Sequence, residues 1–536
     1  MSGVRFAAPT PMEMRAVMVL ESTTLDYRPL IAVLCPAVVS LLVLASGRRP
    51  NVRESWTLIG SVALFAVVSS MTGSVLESGA IHLTLLGLFP GVDLAFKVDA
   101  CSLVFAITSS SLWILVSVYS IGYMRALEEH AQTRYYFSFA VAIVGAIGIA
   151  FSANLVTMFV FYEILTVSTY ALVAHDETPE AISGGHKYLV YLLTGGVFFL
   201  AGIVLTYALV GSTDFEPGGI LEPALGSTSR VTLWILFFCF MLGFMKAAWM
   251  PVHSWLPTAM VAPTPVSALL NAVAVVKAGV FGIIKIVFYL YGTNLMAELG
   301  LGVMLASVAA VTIIVANLCA IGQGNLKRLL AYSTINQLSF IILGAALLTP
   351  MSATGAMLHI PFHGFMKITL FLCAGALIAV ANKTEVSEMA GIGRQMPVTM
   401  IAFTIGAFGM CGAPPLAGFI SKWHIGLGAI ESGQLGFLFV ILIGSLLDVV
   451  YFFPVIKTAF FERVPELETL GGDSEEKVAF FSEQVQNKER ERPLYALMIV
   501  PLAVTAGFSI LFCLRPQTLH VYDLVQMAVN DIFGGW

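Results

Sequence analysis

The stretch "GFMKAAWMPVHSWLP", from Gly243 to Pro257, places a lysine and two prolines inside a long apolar run. Proline removes a backbone hydrogen bond and interrupts a helix, and a charged side chain among lipid tails is costly. Non-helical backbone at membrane depth is tolerated only where it is buried in protein or lines a wet cavity. We therefore expect this stretch to lie inside a membrane protein and to mark a functional position.

The composition of the chain supports a membrane location. Of its 536 residues, 58% are hydrophobic and 11% are charged, whereas about a quarter of the residues of a soluble protein are charged. The net charge of -5 gives no support for a nucleic-acid partner. The seven cysteines stand apart in apolar runs without a CxxC pair, which favours small buried side chains over disulfides or metal ligands.

Long apolar runs predict an all-α polytopic protein with about fourteen transmembrane helices. The seventh helix, 230–260, and the twelfth, 396–428, each contain a pair of prolines and a lysine beside the interruption, Lys246 and Lys422. Because these two helices are five apart, they run in opposite directions. Paired interrupted helices in corresponding halves are typical of an inverted-repeat transporter whose sites lie near the midplane.

The predicted organisation has four parts. They are three N-terminal helices in 1–132, one inverted repeat in 133–291, a second in 298–460, and a polar loop with the last helix and tail in 461–536. We expect no removable signal peptide, because residues 1–20 lack a compact apolar segment ahead of a cleavage site.

Basic residues predict the orientation in the membrane. If the helices alternate, most basic loops fall on one side, which is then cytoplasmic by the positive-inside rule. Both termini would face outward, although Arg5, Arg15 and Arg28 oppose this assignment. We expect a multi-pass protein of the plasma (inner) membrane.

Two ionisable residues stand out in the first half of the chain. Glu163, in "LVTMFVFYEILTV", lies about ten residues into the fifth helix and hence near mid-membrane. An isolated carboxylate there takes up a proton, whereas a nearby lysine such as Lys246 keeps it ionised. A purely structural ion pair is the alternative, but such pairs are poor stabilisers. Intramembrane ionisable residues are functional candidates by default.

The eighth helix carries two lysines. Lys277, in "PTPVSALLNAVAVVKAGVFG", has no easy route to either interface, so we expect it to be functional. Lys285 lies nearer the end of the helix, where a long side chain can reach the interface. We assign Lys285 to such a surface position, and Lys457 likewise.

The eleventh helix carries "HIPFHGFMK", in which His359, His363 and Lys367 are spaced i, i+4, i+8 and share one face. Imidazole titrates near neutral pH and passes protons between its two nitrogens, which favours a proton relay. A structural role remains open, and so does a metal or haem site, although no acid accompanies the histidines on this helix. Lys422 has a candidate partner in Asp448, the only acid deep in the thirteenth helix.

From about residue 100 to 460 the chain resembles the antiporter-like proton-translocating subunits of respiratory complex I, membrane-bound hydrogenases and Mrp-type cation/proton antiporters. The strings that carry the resemblance are "FYEILTVSTYALV", "KAAWMPVHSWLPTAMVAPTPVSALLNA", "NLKRLLAYSTINQLSF" and "GAPPLAGFISKW". The resemblance implies fourteen core helices, two inverted five-helix repeats, and interruptions in the seventh and twelfth helices.

The resemblance also implies roles for single residues. The matching positions are the fifth-helix glutamate Glu163, the seventh-helix lysine Lys246, the eighth-helix lysine Lys277, the eleventh-helix relay at His359 or His363, and the terminal lysine Lys422. Within the family, Glu163 with Lys422 and the loop "DETPEAISGGHKYL" look most like the D-type component of Mrp antiporters. Asp448 departs from the family pattern, in which a neutral polar residue is usual.

These observations predict a proton-translocating subunit of a multi-subunit sodium/proton antiporter, working by ion-pair switching along a Glu/Lys/His axis. The alternative is a proton-pumping subunit of a complex I-like oxidoreductase or a hydrogenase. Two rivals are a redox subunit with its own quinone or haem, and a structural subunit with a decayed axis. The chain has no P-loop, cysteine cluster or dinucleotide motif. We therefore expect no cofactor or metal of its own, and expect other membrane subunits, lipid, protons and, for an antiporter, Na⁺ as partners.

Overall fold

The computed structural model describes residues 26–462 and 493–534 and confirms a polytopic membrane protein built mainly of α-helices. Within this part of the chain, fourteen transmembrane segments follow one another, numbered here as predicted. They are α1 Arg28–Ala45, α2 Pro50–Ser78, α3 Ala100–Ala126, α4 Gln132–Ala150, α5 Leu155–Val173, α6 Pro179–Val210, α7 Arg230–Gly243, α8 Thr264–Tyr291, α9 Leu301–Ile321, α10 Leu326–Ala346, α11 Pro350–Ala381, α12 (Pro397–Cys411 and Ala417–Glu431), α13 Leu435–Phe461 and α14 Pro493–Leu514.

The predicted interruptions are present in the seventh and twelfth segments. Helix α7 ends at Gly243 and continues as a single 3₁₀ turn, Met245–Ala247, before the chain turns away. This turn packs directly on α8, because a Cβ on Gly279 would lie 2.1 Å from the backbone nitrogen of Ala247. Only glycine at that position lets the two backbones approach so closely.

The interruption of α12 lies between Cys411 and Ala417. Gly412 has a φ of +82°, a conformation that glycine adopts without a steric penalty. A Cβ on Gly418 would lie 2.0 Å from the carbonyl oxygen of Gly409, so the two halves of α12 are in close contact across the break. The boundaries of the two inverted repeats, 133–291 and 298–460, stay a prediction.

Helices α8 and α11, which carry Lys277 and the His359, His363 and Lys367 face, lie toward the centre of the bundle. The most apolar 18-residue window is 100% buried in α8, 94% in α10 and 78% in α11, against 28% in α13. Helix α8 also departs from α-helical geometry at two π-helical turns, 269–273 and 286–291. Such turns are rare and frequent at functional sites.

Two elements were not predicted. A β-hairpin, β1 Ile81–Phe89 with β2 Val92–Val98, joins α2 to α3. Its strands are short and half exposed, so long apolar runs do not reveal them. After α14, an amphipathic helix α15, Val521–Phe533, packs its apolar face on α3 and α11.

Some expectations fall on residues outside the described part of the chain. They concern the absence of a signal peptide in 1–20, the opposing charges of Arg5 and Arg15, and most of the polar loop between α13 and α14.

Candidate functional site

Lys246 is held by the interruption that follows α7. Its side chain is fully buried, and its Nζ donates to the backbone oxygen of Tyr162, 2.9 Å away, and to Oγ1 of Thr166, 2.7 Å away. The ammonium also lies over the Tyr162 ring, 3.0 Å from its centroid, where the negative face of the ring attracts a cation. The interruption after α7 therefore places the amine of Lys246 against Tyr162 and Thr166 of α5.

Glu163 lies one residue further along α5 and packs against α6. Its Oε1 would lie 2.5 Å from a Cβ on Gly196, and that oxygen has no hydrogen-bond partner. Among the described residues no ion pair joins Glu163 to Lys246, although the two charges interact electrostatically. The structure thus places the predicted pair in one neighbourhood without direct contact.

Lys277 and His363 are brought together between α8 and α11. Both side chains are fully buried, and Lys277 Nζ lies 2.5 Å from His363 Nδ1. The other ring nitrogen of His363, Nε2, has no partner in the described part of the chain. The pair has the geometry for direct proton exchange between an amine and an imidazole.

His359 continues the face of α11 one turn before His363. The two rings are stacked with centroids 5.8 Å apart, as the i, i+4 spacing predicted. His359 Nδ1 lies 2.7 Å from Oγ of Ser421 on α12, and Nε2 lies 3.1 Å from Oε1 of Gln337 on α10. Because both ring nitrogens are engaged by protein groups, a haem or metal on His359 would first have to displace them.

Asp448 is the centre of a hydrogen-bond network at the end of this series. Its Oδ2 accepts from Lys422 Nζ at 2.8 Å and from Gln337 Nε2 at 2.8 Å. Its Oδ1 accepts from Asn336 Nδ2 at 2.6 Å and from the hydroxyl of Tyr451 at 2.7 Å. Four donors thus surround one fully buried carboxyl. The proposed partnership of Lys422 with Asp448 is therefore present.

Lys367, the third residue of the α11 face, joins the same network from another direction. Its Nζ donates to Oγ of Ser333 at 2.8 Å and lies 3.4 Å from the backbone oxygen of Leu330. The Ser333 hydroxyl in turn donates to the Tyr451 hydroxyl oxygen, 2.9 Å away, and Tyr451 donates its own proton to Asp448. Lys367 is thus linked to Asp448 through two hydroxyl groups.

The predicted residues therefore fall into two groups. Five of them lie in one central network, with one gap between the stacked histidines: Lys277, His363, His359, Lys422 and Asp448. Lys367 reaches that network through hydroxyls, and Glu163 with Lys246 forms a separate group at α5. No described hydrogen bond connects Lys246 to Lys277.

Sequence reasoning missed the neutral groups that hold the network together. Ser333, Asn336 and Gln337 lie on one face of α10 at i, i+3, i+4, inside the string "NLKRLLAYSTINQLSF". That polar stripe in an apolar helix was the available signal. Tyr451, one turn after Asp448 on α13, was a weaker sequence signal.

The surface assignment of Lys285 is wrong. Its side chain is 2% exposed and forms an ion pair with Asp99, the residue that caps α3, at 2.7 Å. The ammonium also lies 3.9 Å from the centroid of the Tyr289 ring. A partner on the adjacent loop makes an interior position possible, which the spacing along α8 alone did not reveal. Lys457 does lie at the surface, 58% exposed and paired with Glu462.

A cleft opens beside the interruption after α7. Its volume is about 560 Å³, and Ser254, Pro257 and Thr258 of the interruption line one side. Lys187 of α6 lies in the same wall and donates to Thr258 Oγ1 at 3.2 Å. Arg328 of α10 lines the cleft as well. These polar walls suit ordered water close to the segment that carries Lys246.

Comparisons with known sequences match this architecture. The family model "NADH:quinone oxidoreductase/Mrp antiporter, TM" matches residues 152–448, and a complex I chain 5 N-terminus model matches 90–136. The chain is 33% identical to NADH-quinone oxidoreductase subunit N of Desulforudis audaxviator, over 70% of this chain and 74% of that protein. It is 31% identical to hydrogenase-4 component B of Escherichia coli, over 62% of this chain and 51% of that protein.

A longer relative and two solved structures complete the comparison. The chain is 29% identical to a probable K⁺/H⁺ antiporter component, of the A/B type, from Rhizobium meliloti, over 81% of this chain and 43% of that protein. It therefore spans about half the length of its longer relatives. Its fold matches a chain of an Mrp complex from Dietzia sp. (TM-score 0.81, 19% identity, 96% and 98% covered) and a chain of an archaeal membrane-bound sulfane sulfur reductase (TM-score 0.78, 24% identity, 95% and 98% covered).

The match to more than half of the chain agrees with the interrupted helices and the buried Lys/His/Asp network described above. The chain belongs to the NADH:quinone oxidoreductase/Mrp antiporter family and is an antiporter-like, proton-translocating membrane subunit of the Mrp, complex I or hydrogenase type.

Proposed function

We propose that this chain is the proton-translocating subunit of a multi-subunit monovalent cation (Na⁺)/proton antiporter of the plasma (inner) membrane. The observation that carries the proposal is the buried network from Lys277 through His363 and His359 to Asp448 and Lys422. A structural core does not need so many ionisable groups, because each costs desolvation energy on burial.

Protons would move along this network in short steps. Lys277 exchanges a proton with His363 Nδ1 at 2.5 Å, and a ring that takes a proton on one nitrogen can release one from the other. The free Nε2 of His363 is the position from which a bridging water reaches the next group. Two routes lead from there to Asp448. One passes through Lys367 and the hydroxyl groups of Ser333 and Tyr451. The other passes through His359 and Gln337.

Switching of ion pairs would drive the transfer. When Glu163 contacts Lys246, the charged lysine is favoured, and when they separate, burial favours the neutral lysine and releases its proton. A change of about three pKa units in a buried lysine is worth about 4 kcal/mol. Moving one charge against 100 mV costs about 2.3 kcal/mol, so one switch suffices for one proton. The separated Glu163 and Lys246 would represent the open state of this switch.

Proton uptake would begin at the cleft beside α7. Its polar lining and its position at the interruption suit a water-filled path toward Lys246. Release would occur at the Lys422 end, on the other interrupted helix. If both termini face outward, the basic loops on the side of the cleft are cytoplasmic. Protons would then enter the protein from the cytoplasmic side.

The test is proton movement in vesicles that contain the purified assembly and a pH-sensitive dye. We expect Glu163→Gln, Lys246→Ala and Lys277→Ala each to abolish proton movement driven by a Na⁺ gradient while assembly persists. Lys457→Ala, which removes an exposed lysine, is the matched control and should behave as wild type. Full transport by Lys277→Ala would refute the proposed axis.

A second candidate is a proton-pumping subunit of a complex I-like oxidoreductase or hydrogenase. It is favoured by the 33% identity to a NADH-quinone oxidoreductase component over 74% of that protein. The two candidates differ in energy source. Co-purification with redox subunits, and proton movement that follows electron transfer without a Na⁺ gradient, would select the second one.

A further inference from the structure

A histidine and carboxylate cluster lies outside the proton network, where two loops meet on one face of the bundle. Glu129 and His130 belong to the loop between α3 and α4, and His175 follows the end of α5. One potential ligand atom from each of the three lies within 4.8 Å of the others. In the described part of the chain this is the single group of three such residues close enough to hold a metal ion.

His175 supplies an independent sign that a ligand is expected here. Its side chain is fully buried, yet neither Nδ1 nor Nε2 has a hydrogen-bond partner. The His130 ring lies against it with centroids 4.9 Å apart, and the His130 backbone is also close to it. A buried imidazole without a partner on either nitrogen is costly, and a ligand would remove that cost.

A carboxylate beside the cluster also lacks a partner. Asp176 follows His175 directly in the chain, and its Oδ1 is buried without a hydrogen-bond partner. A bound cation nearby would stabilise this carboxylate, because buried charges are normally paired or coordinate metals.

We propose that Glu129, His130 and His175 form a binding site for a divalent transition-metal ion of the zinc or cobalt type, with Asp176 beside them. Two histidines and one carboxylate are an established zinc ligand set, which leaves a fourth position for water. Bonds of about 2.0–2.1 Å place tetrahedral ligand atoms about 3.4 Å apart. Ligand atoms up to 4.8 Å apart therefore have to move closer by up to about 1.4 Å, which the exposed His130 and half-buried Glu129 can supply by rotation.

The ring of His175 agrees with this site. Neither of its nitrogens has a hydrogen-bond partner, so either one is free to serve as a metal ligand. Asp176, the next residue in the chain, is the candidate to orient a ligand by a hydrogen bond, as carboxylates beside metal sites commonly do.

Two cations near the cluster oppose a bound ion, but both already have partners. Arg134 pairs with Glu177 and donates to the backbone oxygen of His175 at 2.8 Å. Lys327, at the start of α10, donates to the backbone oxygen of Ala262 at 2.5 Å. Among the described residues, no hydrogen bond runs from Arg134 or Lys327 to a proposed ligand atom.

The experiment measures metal binding directly and does not depend on the transport activity. The full chain, purified with an affinity tag that contains no histidine and placed in lipid nanodiscs, is titrated with Zn²⁺ by calorimetry. A parallel titration with Co²⁺ records the visible absorption of the ion. We expect about one Zn²⁺ per chain and intense Co²⁺ bands of tetrahedral type.

The variants His130→Ala and Glu129→Gln remove ligands that lie outside the buried core, so they leave folding intact. We expect each to weaken Zn²⁺ binding at least about tenfold. His186→Ala removes an exposed histidine near the start of α6 and serves as the matched control with unchanged binding. Absence of stoichiometric Zn²⁺ binding by wild type, or wild-type affinity in both ligand variants, would overturn the proposal.

Discussion

Replacing Asp448 by Asn is the most informative perturbation of the network. The asparagine oxygen keeps the bonds from Asn336 and Tyr451, whereas its amide nitrogen faces the donors of Gln337 and Lys422. The change therefore preserves shape and removes the charge. Lys422 stays buried, with Met410 O at 2.6 Å and Ser445 Oγ at 3.2 Å as its remaining hydrogen-bond acceptors and the Phe340 ring centroid 4.4 Å away.

The expected loss of stability follows from the burial of the ion pair between Asp448 and Lys422. The side chain of Asp448 is 0% exposed and that of Lys422 is 6% exposed, and removing one partner of a buried ion pair costs about 3–5 kcal/mol. Replacing both partners is far less costly, because no unpaired charge remains. We therefore expect Asp448→Asn to destabilise the protein by about 3 kcal/mol or more. Its combination with Lys422→Met should recover about 2 kcal/mol of that loss.

The assay combines a double-mutant cycle with transport. Wild type, both single variants and the double variant are unfolded by denaturant in mixed micelles at one pH, and proton movement is measured in vesicles. A relay role predicts that the double variant regains stability but not transport. Additive stability losses would refute the ion pair as an energetic unit, and normal transport by the double variant would refute its place on the proton path.

Two further predictions concern the packing around α8. Lys285→Ala should destabilise the protein by about 3 kcal/mol, because it leaves Asp99 without its buried partner; a thermal melt checks this, and an unchanged midpoint would contradict it. Gly279→Ala should abolish folding or transport, because its Cβ would lie 2.1 Å from Ala247 N. Gly436→Ala, with nothing within 4 Å of the added carbon, is the control for expression level and should be nearly silent.

The sequence predicted the features that depend on local rules. Paired prolines in apolar runs located both interruptions, and the i, i+4 spacing placed His359 and His363 in one stack. The contact between Lys277 and His363 joins residues 86 apart in the chain, and no local pattern specifies such a partner. In the sequence, Lys277 and His363 were connected only through the expectation that both belong to one polar axis.

The errors have a common physical origin. The exposure of a charged residue depends on what the neighbouring chain offers, and Asp99 lies 186 residues from Lys285. The polar stripe of α10 that contains Asn336 and Gln337 was visible in the sequence, but no local pattern shows which group on another helix it faces. Their importance comes from the carboxylate of Asp448, which lies on another helix.

In the proposed proton axis, the four donors around Asp448 bear on how Lys422 would release a proton. In a relay that ended at an isolated lysine, burial alone would drive the proton off. Here a buried carboxylate faces Lys422 at 2.8 Å, so release of a proton from Lys422 would require that this contact lengthen. Asn336, Gln337 and Tyr451 can satisfy the carboxylate while Lys422 is away. The network would therefore lower the cost of opening this pair, as a switch at the proposed release end of the axis requires.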